Sequence, residues 1–331
     1  MAGNRDYSLD ALKMILIILV IYAHIPLLNG LIPIGANVEC DALTWHSVKG
    51  IYAFHMPLFV FLSGYLTKRK LLAVQFGKSQ KLIKLFVVFH IVDLVLKWIV
   101  AGVRHSLHGI VCPSFALWYL LCLFYWRILI SALPENINKK YAVSYSVLLS
   151  LLVGFIPIQG EFGFQRFFSF MPYFFLGHYY GRSVLKTVDN KVVLPPPRTY
   201  LLSGLIVIVL FVAILISSFN PRWLVVIISP YPDFKGLFFR LMFLCGSSIL
   251  CYLILIVCKF KRDWSRNILA KVGSETLFFY LLHPYVLYVI VAIWSQMNDH
   301  INMLSAICIT SVTVFILMLL RKIKPIYKFL R

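Results

Sequence analysis

Apolar runs long enough to cross a lipid bilayer recur along almost the whole chain, and no other feature restricts the fold as much. A spanning α-helix needs about 20 predominantly apolar residues. Ten runs approach or meet that length, near 10–29, 51–67, 82–102, 115–133, 141–158, 168–182, 199–218, 236–258, 274–294 and 303–320. Backbone amides in a bilayer core find no water, so each run must satisfy its own hydrogen bonds as helix. The expected fold is all-α: one integral membrane domain over residues 1–331, a polytopic bundle of about ten transmembrane helices. Composition agrees, with 13% charged and 61% hydrophobic residues, against roughly a quarter charged in ordinary soluble domains.

The formal charge of +20 would suit a nucleic-acid partner, but its placement argues against one. The cations lie between apolar runs, where they orient a membrane protein. Lys68, Arg69, Lys70, Lys78, Lys81 and Lys84 fall between the second and third runs. Lys259, Lys261, Arg262, Arg266 and Lys271 fall between the eighth and ninth, and Arg321, Lys322, Lys324, Lys328 and Arg331 close the chain. All share the side of the N-terminus. The opposite connections hold only Lys49, Arg104, Arg166, Arg222 and Lys235. The positive-inside rule then predicts both termini in the cytoplasm, in a multi-pass protein of the cell membrane. The first run is read as a span and not a cleaved leader, because no small-residue cleavage site follows His24. Pro195, Pro196 and Pro197 are read as a stiff spacer.

Ionisable residues inside the runs are the candidates for chemistry, since burying them in a bilayer is costly. Lys13 and His24 stand eleven residues apart in DALKMILIILVIYAH. Eleven residues are about three helical turns, which aligns the two side chains on one face with roughly 16 Å between them. Asp10 and Lys13, at i and i+3, can pair at the cytoplasmic mouth; Lys13 otherwise reads as a snorkelling anchor. His55 in YAFHMPLFVFLSGYL is expected at a depth similar to His24, where two imidazoles would line one cavity. Ser63 and Gly64 lie deeper, permitting either close helix packing or room for a cofactor arm. Lys78, Lys81 and Lys84 form a basic edge suited to phosphates or to anionic headgroups of membrane lipids. His90, Asp93 and Lys97 share a face as an ion-paired stripe or a polar pathway. Arg127 reads equally as an anchor or a functional cation. Glu161 and Arg166 are solvated loop charges or acceptor-binding groups. His178 and His283 read as structural, with Pro284 freeing a helical carbonyl near the second.

Seven cysteines are present. Cys40 and Cys112 both fall in outer connections, where an oxidising compartment would let them pair or leave them free. No cysteine and histidine spacing resembles a zinc site, so no metal is expected.

NRDYSLDALKMILIILVIYAH resembles the opening of the acyltransferase 3 family of integral membrane acyltransferases, whose basic residue and histidine correspond to Lys13 and His24. FHMPLFVFLSGYL resembles that family's second-helix signature, and SETLFFYLLHPYVLY its late helix. GKSQKLIKLF resembles its basic third-helix start, with Lys81 and Lys84 where arginines are frequent. Among its members, the chain looks most like stand-alone sugar O-acetylases related to fucose 4-O-acetylase. The resemblance implies transfer of an acetyl group from cytoplasmic acetyl-CoA, an acyl-CoA donor substrate, to a hydroxyl of a cell-surface or lipid-linked glycan. It implies donor phosphates at Lys13, Lys81 and Lys84. His24, His55 and Asp10 are then the candidate catalytic residues. His24 would act as general base or carry the acyl group itself, and His55 would orient the acceptor or stabilise the oxyanion. The rival classes are a transporter or flippase for a lipid-linked sugar, a glycan-assembly protein, and a purely structural membrane protein.

Overall fold

The computed structural model describes residues 6–30, 39–102, 104–113, 116–193, 227–260 and 267–323. The run expected near 199–218 and the triple proline lie outside them. The described chain is all-α apart from one two-residue parallel bridge pairing Glu39–Cys40 (β1) with His300–Ile301 (β2). It divides into two compact units, 1–55 with 254–331, and 56–253.

The first unit is built around α1 (Tyr7–His24). Asp6 caps it, its carboxylate accepting from the amides of Ser8 and Leu9 at 3.1 and 3.2 Å, which satisfies donors that a helix start leaves orphaned. Around α1 pack α2 (Ala42–Tyr52), α10 (Ile268–Val272), α11 (Thr276–Ser295) and α12 (Met303–Leu320). Of the apolar stretch of α1, 67% is buried, against 28% for α12. The first is thus the inner helix, and the second presents Leu304, Val312 and Phe315 outward. Gly273 follows α10 at the point where its backbone meets the carbonyl of Asp10, and a Cβ there would collide with it. The Arg321 guanidinium clasps both carboxylate oxygens of Glu275, joining the end of α12 to the turn before α11.

The second unit carries α4 (Leu72–Ala101), α5 (Leu107–Val111), α6 (Trp118–Ala132), α7 (Lys139–Leu152) and α8 (Phe164–Val193). It also takes in most of α3 (His55–Leu66) and of α9 (Lys235–Phe260). α4 ends at Gly102, whose φ of +63° suits a left-handed cap. Gly64 of α3 and Gly177 of α8 face each other: a Cβ on the first would strike the carbonyl of Phe174, and on the second that of Phe61. The space beside Gly64 is therefore filled by a helix backbone, which decides for close packing over room for a cofactor arm. Ser63 is held by Tyr119 at 2.5 Å. His178 donates from Nδ1 to the carbonyl of Thr67 at 3.0 Å. Asp93 and Lys97 pair at 2.7 Å, and His90 bonds the carbonyl of Ile110 at 2.7 Å.

The helices follow the apolar runs with informative departures. The last run, 303–320, coincides with α12. The second does not form one helix: Ala53 and Phe54 break it between α2 and α3, and the connection before it is itself helical. α4 begins ten residues before its apolar run at 82, because the lysine-rich lead-in continues the same helix. Four helical stretches among the described residues are long and apolar enough to cross a membrane: Tyr7–Leu28, Lys235–Cys258, Ile268–Ser295 and Met303–Leu320.

Candidate active site

In the first unit the imidazole of His24 meets that of His283. Nδ1 of His24 lies 2.9 Å from Nε2 of His283, with the ring planes within 15° of each other and centroids 5.1 Å apart. This is a near-coplanar, edge-to-edge arrangement, as an N–H···N bond requires. Both rings are buried.

The bond has a direction, and the sequence sets it. Proline carries no amide hydrogen, so inside a helix it leaves the carbonyl four residues earlier without its partner. Pro284 sits inside α11, and the carbonyl it deprives is that of Tyr280. The ring of His283 turns back to fill the gap, with Nδ1 at 2.7 Å from the Tyr280 oxygen and 3.2 Å from that of Phe279. Carbonyls only accept, so Nδ1 of His283 carries the proton and Nε2 of the neutral ring is an acceptor. Nδ1 of His24 must then be the donor in the pair. The remaining nitrogen of His24, Nε2, keeps its lone pair, which is the form a general base or nucleophile requires.

His55 is fully buried at the start of α3. Its Nδ1 donates to the carbonyl of Ile51 at 2.8 Å, and Tyr52 meets the ring edge-on. The same reasoning leaves Nε2 of the neutral ring an acceptor. In that state His55 can orient a hydroxyl, whereas holding an oxyanion would require a second proton. His283 and His55 both lie close enough to bear electrostatically on His24.

Towards the other end of α1, Lys13 and Asp10 form the expected pair at 2.7 Å, with side chains 17% and 11% exposed. Asp10 precedes His24 by fourteen residues, roughly 21 Å along the axis. It serves Lys13 and not the imidazole. Glycine at 273 lets the chain press on the Asp10 backbone from behind.

A family model described as an acyltransferase domain matches residues 6–322. The chain belongs to the acyltransferase 3 family. The histidine pair and the Asp10–Lys13 pair both lie inside the matched region, and the resemblance read from the opening helix is thereby shown. The chain is 41% identical over 78 residues to the nodulation protein NolL of Sinorhizobium fredii, covering 24% of this chain and 20% of that protein. It is 47% identical over 79 residues to NolL of Mesorhizobium japonicum, covering 23% and 19%. The inner membrane protein YcfT of Escherichia coli is 26% identical over 183 residues, 48% of this chain and 49% of that protein. The chain thus spans between about a fifth and a half of the length of these relatives. No solved structure matches.

In the second unit this acyltransferase-family chain gathers cations. Lys81 is half-buried on α4 and Lys84 is exposed beside it. More telling is Lys70, in the connection before α4. Its ammonium is held below the usual lysine range, first by Lys78 and also by Lys68 and Arg127. Among the described residues no carboxylate forms an ion pair with any of these four. Arg69 is spoken for differently, its guanidinium donating to the carbonyls of Leu133 and Pro134. Sequence reasoning named Lys81 and Lys84 for the donor, read Arg127 equally as an anchor or a functional cation, and took Lys70 only as an orienting charge, without joining the last two. The latter come from different elements, and no spacing joins them. His283 was likewise read as structural; the one available signal was the proline after it.

Proposed function

We propose that this protein is a membrane O-acyltransferase that moves an acetyl group from cytoplasmic acetyl-CoA to a hydroxyl of a cell-surface or lipid-linked glycan. The reading includes ten spans with both termini in the cytoplasm, as the basic connections suggest. The observation that carries it is the imidazole pair: a buried histidine whose Nδ1 is bonded to a second buried histidine, itself held by the Tyr280 carbonyl. Family membership supports the reaction class.

In the proposed reaction the glycan hydroxyl oxygen attacks the thioester carbonyl carbon. Nε2 of His24 takes the hydroxyl proton as the C–O bond forms. The tetrahedral intermediate then expels sulfur, the C–S bond breaks, and the proton passes from His24 to the CoA thiolate. His283 supports the charge that builds on His24 during the transfer, and His55 accepts a hydrogen bond from the acceptor. Lys13, positioned by Asp10, is assigned to the donor. Lys81 and Lys84, with Lys70, Lys78 and Arg127, are assigned to donor phosphates on their chemistry: ammonium and guanidinium groups supply the charge and the N–H donors that a phosphate takes.

The test is transfer of labelled acetyl from acetyl-CoA to glycan by the purified protein, with and without His24. A covalent product that disappears in the His24→Ala protein, while that protein still inserts into membranes, is the expected result. A lipid-linked sugar carrier would move its cargo and make no acetylated product.

A further inference from the structure

Another group of chemically capable side chains lies in the second unit, made of residues given no part in the proposed acyl transfer. His108 and Cys112 are at i and i+4 on and just after α5, so they project from one side of that short helix. Glu161 reaches them from the turn that leads into α8. Nδ1 of His108 lies 3.0 Å from Oε1 of Glu161, and Sγ of Cys112 lies 3.4 Å from Nε2 of His108. One donor atom from each residue falls within 4.8 Å of the other two.

Two features show that the turn is shaped to bring Glu161 here. Phe162 has φ +50° and Gly163 φ +72°, a left-handed pair directly after the glutamate. A non-glycine residue in that region carries strain that its surroundings must support, and such strain gathers at functional sites. Gly160, on the other side, lies against the sulfur: a Cβ there would sit 3.3 Å from Sγ of Cys112. The hydrogen bonds of the cluster also do not close. Glu161 Oε2 is buried and has no hydrogen-bond partner among the described residues.

The geometry points to a binding site for a divalent transition metal, of which Zn²⁺ is the best fit, held by His108, Cys112 and Glu161. A thiolate, an imidazole and a carboxylate are the donor types that zinc accepts together. The sulfur disfavours magnesium and calcium, which take oxygen ligands. Ligand atoms about 3.4 Å apart suit tetrahedral zinc, so the present spread needs only a small contraction. Three protein ligands leave one position for water. Binding displaces the thiol proton of Cys112 to solvent as the metal–sulfur bond forms, and the exposed face of His108 gives the ion its way in. The ion would staple α5 to the turn before α8, a cross-link between two connections more than forty residues apart in sequence.

The experiment uses the full chain, purified in detergent without a polyhistidine tag and freed of metal. Zn²⁺ is titrated against a chromophoric chelator, and Co²⁺ serves as the spectroscopic probe. One equivalent of Zn²⁺ and a thiolate-to-cobalt charge-transfer band are expected. Cys112→Ser should remove the band, and His108→Ala and Glu161→Gln should each weaken Zn²⁺ binding at least about tenfold. Glu161→Gln preserves shape, so its loss of affinity is separable from misfolding, which thermal unfolding of each metal-free variant would reveal. No stoichiometric binding by the native protein, or binding unaltered in all three variants, overturns the assignment.

Discussion

The two units handle charge inside a membrane protein in opposite ways. In the first, every titratable group of the candidate site has found a partner. Asp10 holds Lys13, His283 holds His24, and the Ile51 carbonyl holds His55. In the second, Lys68, Lys70, Lys78 and Arg127 crowd together without a carboxylate among the described residues. A satisfied network costs little to bury and fixes which atom carries each proton. A crowd of like charges stores repulsion that a bound anion would relieve. The first arrangement suits a group that must be oriented before the substrate arrives, and the second suits a group completed by the substrate.

That contrast can be broken by exchange of single residues. The largest effect is expected at His24. Its replacement by alanine should lower acetyl transfer by about 10²–10⁴-fold, the range for loss of a general base, with membrane insertion retained; near-native turnover would remove the imidazole from the mechanism. His283→Leu should follow, with a loss of about 10–100-fold, the cost typical of removing an orienting partner. His283→Asn keeps a carbonyl acceptor for the His24 N–H and should recover part of that loss. Equal rates for leucine and asparagine would mean that the second ring only fills space. Charge reversal at Lys70 or Lys78 should act on the other unit, raising KM for the acyl-CoA about tenfold while changing kcat little. A change confined to kcat would count against a phosphate contact. The smallest catalytic effect is expected from Gly177→Ala. This places a methyl group against the Phe61 carbonyl and should cost about 1–3 kcal/mol of stability by overpacking, visible as a lower midpoint of thermal unfolding. Undiminished stability would show that the two helices can separate without penalty.

Much of this was legible because membrane helices advertise themselves. The run at 303–320 and helix α12 share their limits, and Asp10–Lys13 and Asp93–Lys97 formed as their spacing required. A repeat of 3.6 residues reports which side chains share a face, and salt bridges at i+3 or i+4 need nothing more. It is silent on what that face meets. His24 and His283 are 259 residues apart, Glu161 is 53 residues from His108, and Arg127, which bears on Lys70, stands on a different element. The spacing of cysteines and histidines does not reveal the His108, Cys112 and Glu161 cluster for that reason: only two of its three donors share a spacing. The broken second helix was missed because Ala53 and Phe54 are apolar, and hydropathy cannot distinguish a continuous helix from two joined by an apolar turn.

Pro284 makes the acid–base state of a distant ring depend on backbone heredity. An alanine in its place would restore an amide to the helical ladder and release the Tyr280 oxygen from its claim on His283. The ring proton could then migrate to the opposite nitrogen, and the polarity of the N–H···N link would reverse. His24 would be left with its hydrogen on Nε2 and, under the proposed mechanism, nothing with which to deprotonate an alcohol. The protein would retain every imidazole it started with and still lose its proposed base by the gain of a single N–H.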